Sequence, residues 1–383
     1  MTVATPARTV ELWVRNAPKE EATLFRFERM SIRSLALTAS MIVIAACGAG
    51  GGAVPQQTGP VTLQVMNYAN YMPEDIAERF KAATGHSMEV TLLSSNEDAL
   101  AKLDASPAGT YDIVFLTSPF AEGMNKAGKL EALDHAKISN LSNLYPEATQ
   151  AGHDPGNKFS VPYAWGTTGI CYRADLVKET EIDSWNDLLQ PSAELSGKIT
   201  MMDEDRWLMI PALKVLGFSA NSTDAAELSQ AADLLIAAKK SLLGYDAETF
   251  YTKLDSGEAV AVHGWDGWCN YAADPNVKWV LPSEGSDLWL DTMTIAKGSP
   301  RLEAAHAFID FILLPENGRW VAENILYKVP NKAAMEALDP ALLEAYPNMA
   351  ITPAQLLTQE ALRDLGDGQT RFSDAATKVK AAP

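Results

Sequence analysis

The chain has 383 residues, 47% of them hydrophobic and 21% charged, the proportions of a packed globular protein rather than of a disordered or fibrous one. Its 31 Lys+Arg stand against 49 Asp+Glu, a formal net charge of −18 that argues against nucleic acid as a partner and in favour of cations.

Arg26, Arg29 and Arg33 precede an uncharged run from Leu35 to Ala46 that is too short for a permanent span but suits the apolar core of a secretory signal. Ile44-Ala45-Ala46-Cys47 resembles a bacterial lipobox, so residues 1–46 read as a signal peptide and Cys47 as the lipidated residue. Met30 lies five residues before the run, which makes Met1–Arg29 readable as an over-extended start. Removing residues 1–46 takes away six basic and four acidic side chains and leaves 337 residues with a net charge of −20. Residues 47–60, with the glycine cluster Gly48 to Gly52, read as a flexible leash, and no second long apolar stretch follows.

Beyond the leash, strands and helices alternate. Val61 to Asn67 has the period of a strand, Pro73 opens an amphipathic helix that Gly85 stops, and Met88 to Leu93 is the next strand. Ser95 caps a short helix reaching Leu103, and Tyr111 to Thr117 is a continuous apolar strand of the kind buried in a parallel sheet. This is a βαβαβ opening. Then follow a helix at Ser184 to Leu189, a strand at Lys198 to Met202, and helices at Trp207 to Leu216 and Ala225 to Leu242. Strands at Ala259 to Gly264, Lys278 to Leu281 and Asp291 to Ala296 precede a helix at Leu302 to Leu314, ended by Pro315. Cys171 and Cys269 have no nearby second metal ligand, and we expect two buried free thiols rather than a disulfide.

In α/β sheets ligands collect at the carboxyl ends of strands. Those places hold Tyr68, Tyr71, Thr117, Glu204, Trp265, Asp266, Trp289 and Asp291, with lysine and arginine nearly absent. Carboxylates beside aromatic faces suit an organic cation, because the carboxylate offsets the cost of stripping water from an ammonium and each ring adds about 0.5–2 kcal/mol.

The ordered set Asn67-Tyr68-Ala69-Asn70-Tyr71-Met72-Pro73, Ser95-Asn96-Glu97, Tyr111-Asp112-Ile113-Val114, Val161 to Thr168, Gly257 to Gly267 and Leu281 to Asp291, continued by Tyr327-Lys328-Val329-Pro330-Asn331, resembles the spermidine/putrescine-binding proteins of bacterial ABC importers. The resemblance implies an α/β, two-lobe periplasmic-binding-protein fold (type II-like), with a hinge and an interlobe ligand cleft. It implies lobe 1 at 61–167 plus 290–335 and lobe 2 at 168–289 plus 336–383. It further implies a monomeric lipoprotein, anchored outside the cytoplasmic membrane, that hands a small cationic amine to membrane permease subunits without any cofactor, metal or catalytic residue. Carried over by position, the aromatic box falls on Tyr68, Tyr71, Trp265, Trp289 and Tyr327, the amine-pairing carboxylates on Asp291 and on Glu204 or a neighbour, and Thr117 replaces a serine. Asp266 follows the box tryptophan and adds a charge.

Departures from the family pattern fall at Asn70, Trp207, Leu362 and Pro119, each of which removes a polar partner, so the expected amine is shorter, less charged or more apolar than spermidine. Other ligands of the same fold, a thiamine-like cation or ferric iron at Tyr68 and Tyr71, are the nearest alternatives. A glycoside hydrolase with Glu204 and Asp291 as its acid and base is the enzymatic one.

Overall fold

The period-two stretch after Val61 forms the strand Thr62–Tyr68 (β1), whose Leu63 and Val65 are wholly buried. The computed structural model describes residues 54–383; the signal segment, Cys47 and the first half of the leash lie outside the described residues. Strand β1 pairs in parallel with Ser87–Leu93 (β2) and Ile113–Thr117 (β3). All five residues of β3 are buried, as its unbroken apolar run requires.

Strands β4 (Ser160–Gly166) and β5 (Thr168–Arg173) form one extended run interrupted at Thr167, and they belong to different sheets. The second sheet adds β6 (Ile199–Met201), β7 (Gly244–Tyr245), β8 (Ala261–Trp265) and β9 (Val277–Val280) in the order β7-β6-β8-β5-β9. The chain then returns through β10 (Asp287–Ile295) and β11 (Glu360–Ala361) to complete the first sheet, in the order β11-β10-β3-β1-β2 with β4 also on β10. The backbone therefore crosses between the sheets near Thr167, again between β9 and β10, and a third time after β11, where helix Gln369–Ala381 packs on helices Asp205–Val215 and Ala225–Ala238 beside the second sheet. This is the two-lobe α/β architecture expected. Phe80, Phe115 and Phe308 anchor the core of the first sheet, and Trp185, Leu213 and Phe372 that of the second.

Most expected elements form, with shifted ends. The first helix starts at Ile76 rather than Pro73, because the intervening residues make a turn in which Ile76 N–H bonds the Pro73 carbonyl. Gly85 does end it, in the left-handed conformation. Ser95 caps Asn96–Ala105 by accepting from Asp98 N–H at 3.1 Å. Pro315 not only follows one helix but opens another, Pro315–Ile325, since its missing N–H costs nothing at a first turn. The strand expected at Asp291 begins four residues earlier, at Asp287.

One expectation is corrected: Cys171 of β5 and Cys269 are joined in a disulfide, their Cα atoms 5.9 Å apart. Sequence separation carried no information on that approach. The bridge ties the turn Trp268–Tyr271, just beyond Trp265, to the middle of the second sheet. No helix of the described residues is long and apolar enough to cross a membrane.

Candidate functional site

Two parallel strands of the first sheet end beside the middle of an antiparallel one. Tyr68 closes β1, Thr117 closes β3, and Asp291 of β10 is paired directly opposite Thr117. Beyond Tyr68 the chain reverses at Asn70, whose φ of 56° lies in the left-handed region that asparagine tolerates. That reversal brings Tyr71 back over Asp291.

Asp291 is held from both sides. Tyr71 donates to its Oδ2 at 2.7 Å and Thr117 Oγ1 donates to its Oδ1 at 2.7 Å. Thr117 is itself fixed by Asn96, which accepts from Thr117 N–H at 2.9 Å and donates to its Oγ1 at 3.0 Å. Burial pushes the Asp291 carboxyl above its ordinary value, and the bonds from Tyr71 and Thr117 pull it partly back.

Around this carboxylate lies a cavity of about 710 Å³ between the lobes. On the side of the first sheet stand Tyr68, Tyr71, Trp289 and Tyr327, packed edge to face: Tyr68 to Tyr71 at 5.9 Å, Tyr71 to Tyr327 at 5.7 Å, and Tyr327 to Trp289 at 5.4 Å between ring centres. The second lobe gives Trp265 at the end of β8, with Trp207 at 5.6 Å and Trp268 at 5.8 Å. Edge-to-face packing fixes the orientation of these rings.

Glu204 enters from the second lobe at the start of helix Asp205–Val215, and its side chain makes no capping bond. It borders both this cavity and a neighbouring hollow. Burial, followed by repulsion from Glu97, Asp203, Asp291 and Glu248, pushes its carboxyl up to about 8. Among the described residues neither Asp291 nor Glu204 forms an ion pair with a lysine or arginine, whereas Lys102, the cation in the cavity lining, is taken by Asp98. The hollow thus holds two desolvated carboxyl groups without a counter-ion of their own, a state that an entering cation relieves.

Two orphaned polar atoms complete the picture. The Tyr68 hydroxyl and the Trp289 Nε1–H are buried with no hydrogen-bond partner. Burial, then the Asp291 charge, pushes the hydroxyls of Tyr68 and Tyr71 well above the ordinary tyrosine value. Among the described residues no cluster of three or more histidine, cysteine or carboxylate side chains is arranged to hold a metal.

Eight of the nine expected residues, Tyr68, Tyr71, Thr117, Glu204, Trp265, Trp289, Asp291 and Tyr327, line this one cavity. Asp266 does not, and that expectation is corrected: it is fully buried outside the cavity lining, with its carboxylate engaged by the Lys328 ammonium. Sequence reasoning missed Asn96, Glu248, Tyr251 and Trp268 as lining residues. Trp268 lies three residues beyond Trp265, a spacing that signals a shared face, but Tyr251 sits in a helix whose pattern looks like any packed one. Of the departures, Trp207 is a wall residue whose indole donates to Asp287 Oδ2 at 3.2 Å, while Leu362 is buried in the core and Pro119 lines a neighbouring hollow of about 680 Å³.

Residues 75–351 match the family model for bacterial extracellular solute-binding proteins. A spermidine/putrescine-binding periplasmic protein of Salmonella typhimurium is 31% identical over 326 residues, covering 84% of this chain and 92% of that one. A putrescine/cadaverine-binding protein of Pseudomonas aeruginosa is 32% identical over 346 residues, covering 86% of this chain and 96% of its own. Among solved structures, a spermidine/putrescine ABC transporter substrate-binding protein of Streptococcus pneumoniae superposes with a TM-score of 0.71 at 28% identity, covering 83% of this chain and 98% of that chain. With the match running through both lobes and the interlobe cavity in the expected place, the chain belongs to the bacterial extracellular solute-binding protein family.

Proposed function

We propose that this protein is the extracytoplasmic substrate-binding component of an ABC importer, capturing a polyamine or related cationic amine and delivering it to a membrane permease. The observation that carries this reading is the pair of uncompensated carboxylates, Asp291 from one lobe and Glu204 from the other, facing a single aromatic-walled cavity. An amine with two cationic ends engages both and so favours the closed arrangement of the lobes. The named ligands of the relatives, spermidine, putrescine and cadaverine, have this form. The carboxylate pair accordingly serves binding, not glycoside hydrolysis.

In this reading Tyr68, Tyr71, Trp265, Trp289 and Tyr327 cover the methylenes and ammonium groups, Asp291 and Glu204 pair the charges, and Thr117 orients Asp291. By the expected bounds lobe 1 comprises 61–167 plus 290–335 and lobe 2 comprises 168–289 plus 336–383, although Asp287 to Trp289 and Glu360–Ala361 are strand residues of the first sheet and Leu338 and Met349 join its core. Cys47 carries the lipid that tethers a monomer to the outer face of the membrane. Trp207, clamped to Asp287, closes the Glu204 side with an apolar ring, which favours a diamine over spermidine.

The test is mass spectrometry of ligand retained after mild purification, followed by calorimetric titration with putrescine, cadaverine and spermidine. We expect one equivalent of a diamine to bind more tightly than spermidine. Absence of binding to all three, with the protein folded and stripped of endogenous ligand, overturns the reading.

A further inference from the structure

Lys328 and Asp266 form the most deeply buried ion pair among the described residues, with side chains 2% and 0% exposed and Nζ donating to Oδ2. Asp266 comes from the second lobe, directly after the wall residue Trp265. Lys328 comes from the first, directly after the wall residue Tyr327, and its carbonyl accepts from Trp165 N–H of β4 at 3.1 Å.

Two glycines place the pair immediately behind the cavity wall. A Cβ at Gly166 would collide with both Asp266 Oδ1 and the Trp289 ring, so carboxylate and indole press on the same point of β4. Gly267, whose N–H bonds Asp266 Oδ1 at 2.8 Å, lies so close to the Tyr327 ring that any side chain there would overlap it. Trp289 and Tyr327 both line the cavity. A third carboxylate therefore stands close against two of the rings that line the cavity.

A lysine side chain is an alkylammonium: a methylene stem bearing one cation. In engaging Asp266, Lys328 has the chemistry that the cavity offers a guest amine, with the difference that it is tethered. We propose that Lys328 is a specificity-determining residue, a built-in ammonium that withholds the Asp266 carboxylate from the ligand and so limits the number of cationic groups the site accepts. The inference rests on the amine-binding reading above. Its physical basis is the large cost of a buried carboxylate left without a partner, which a further ammonium on the ligand, or a free one, can remove.

The experiment compares the unaltered protein with Lys328→Ala, Lys328→Gln, and Lys328→Ala combined with Asp266→Asn, by calorimetric titration with putrescine and spermidine and by thermal melting. In Lys328→Ala the melting temperature falls and is partly restored by tens of millimolar propylammonium, which leaves the unaltered protein's melting unchanged. The affinity for spermidine relative to putrescine rises by about tenfold or more as the freed carboxylate takes the third ammonium. Lys328→Gln, which keeps a hydrogen bond to Asp266 and hence the fold, shows the same shift to a smaller degree. The double variant returns the ratio to that of the unaltered protein, since the hole remains but the charge is gone. An unchanged ratio in Lys328→Gln and in any folded Lys328→Ala overturns the inference, as does a shift that persists in the double variant. If the unaltered protein binds neither amine, the amine-binding reading itself fails first.

Discussion

The Tyr71 hydroxyl donates to Asp291 Oδ2 at 2.7 Å, so a ring that walls the cavity also aims its carboxylate. With Thr117 donating to the other oxygen, Asp291 has a fixed orientation before any ligand arrives. A carboxylate set in advance spares the ligand the cost of ordering it.

Asp291→Asn keeps the shape and removes the charge. Amine affinity should fall by about 2–5 kcal/mol, a thirtyfold to several-thousandfold loss, because the ammonium then lies buried without a counter-charge. The folded state should tolerate the change, since it eliminates an uncompensated buried anion. Titration calorimetry with circular dichroism melting checks both halves. Affinity within threefold of the unaltered protein removes Asp291 from the site.

With its carboxyl pushed up to about 8, Glu204 carries a proton in the ligand-free protein at neutral pH. An ammonium must displace that proton, so binding should release up to one proton and log K should rise by about one per pH unit from roughly pH 6 to 8. The sign for stability is opposite. A carboxyl whose folded value is raised favours the folded state below its unfolded value, and that contribution disappears as pH climbs through about 8. Binding enthalpies in buffers of different ionisation heat report the proton directly, and Glu204→Gln should flatten the pH dependence.

The Tyr68 hydroxyl is buried and unpartnered, so it contributes nothing to the ligand-free fold. Tyr68→Phe should therefore leave stability unchanged or raise it by about 1 kcal/mol. If the hydroxyl accepts a hydrogen bond from the ligand, amine affinity drops severalfold at the same time. A destabilised variant would contradict this account.

Both ring nitrogens of His263 are buried without partners, and burial alone lowers its pKa to about 3. The imidazole is neutral in the folded state and cationic when unfolded in acid, so its share of stability is complete above about pH 6.5 and is lost as pH falls towards 3. His263→Met should give a flatter stability profile over that range, measured by urea denaturation at stepped pH. An identical acid slope in the variant would exclude His263 as a source.

Reducing the Cys171–Cys269 bridge, or replacing both residues with serine, frees a 98-residue separation in the unfolded chain. By the loop-entropy account the cost is about 4.7 kcal/mol. Because the bridge anchors the turn behind Trp265 and Trp268, amine affinity should weaken as well, and titration with and without reductant measures it.

How much of this was legible in the sequence depended on whether the signal was local. Alternation after Val61, the Ser95 cap and the apolar run ending at Thr117 are local, and they placed two strands of the first sheet and the helix Asn96–Ala105 before the second of them, and hence Tyr68 and Thr117. Strands β4 and β5 escaped as strands because Ser160 to Arg173 is buried on both faces almost throughout and therefore lacks the alternation that marks a strand. The Asp266–Lys328 pair was illegible for a related reason: its partners are 62 residues apart, and only the fold tells a paired carboxylate from a free one. Glu248 and Tyr251 likewise reach the cavity from a segment whose own pattern says only that it packs.

Three separate stretches of backbone join the two sheets, and Thr168 N–H on the first is bonded to Asp287 of the second at 3.1 Å. Fastened at several points, the halves cannot spin about a single bond or drift apart, and the inexpensive displacement is a bend about the line of the joints. Such a bend parts the lips while the floor stays shut, so cargo leaves by the mouth through which it came. Whatever unloads this carrier must hold that mouth open from outside.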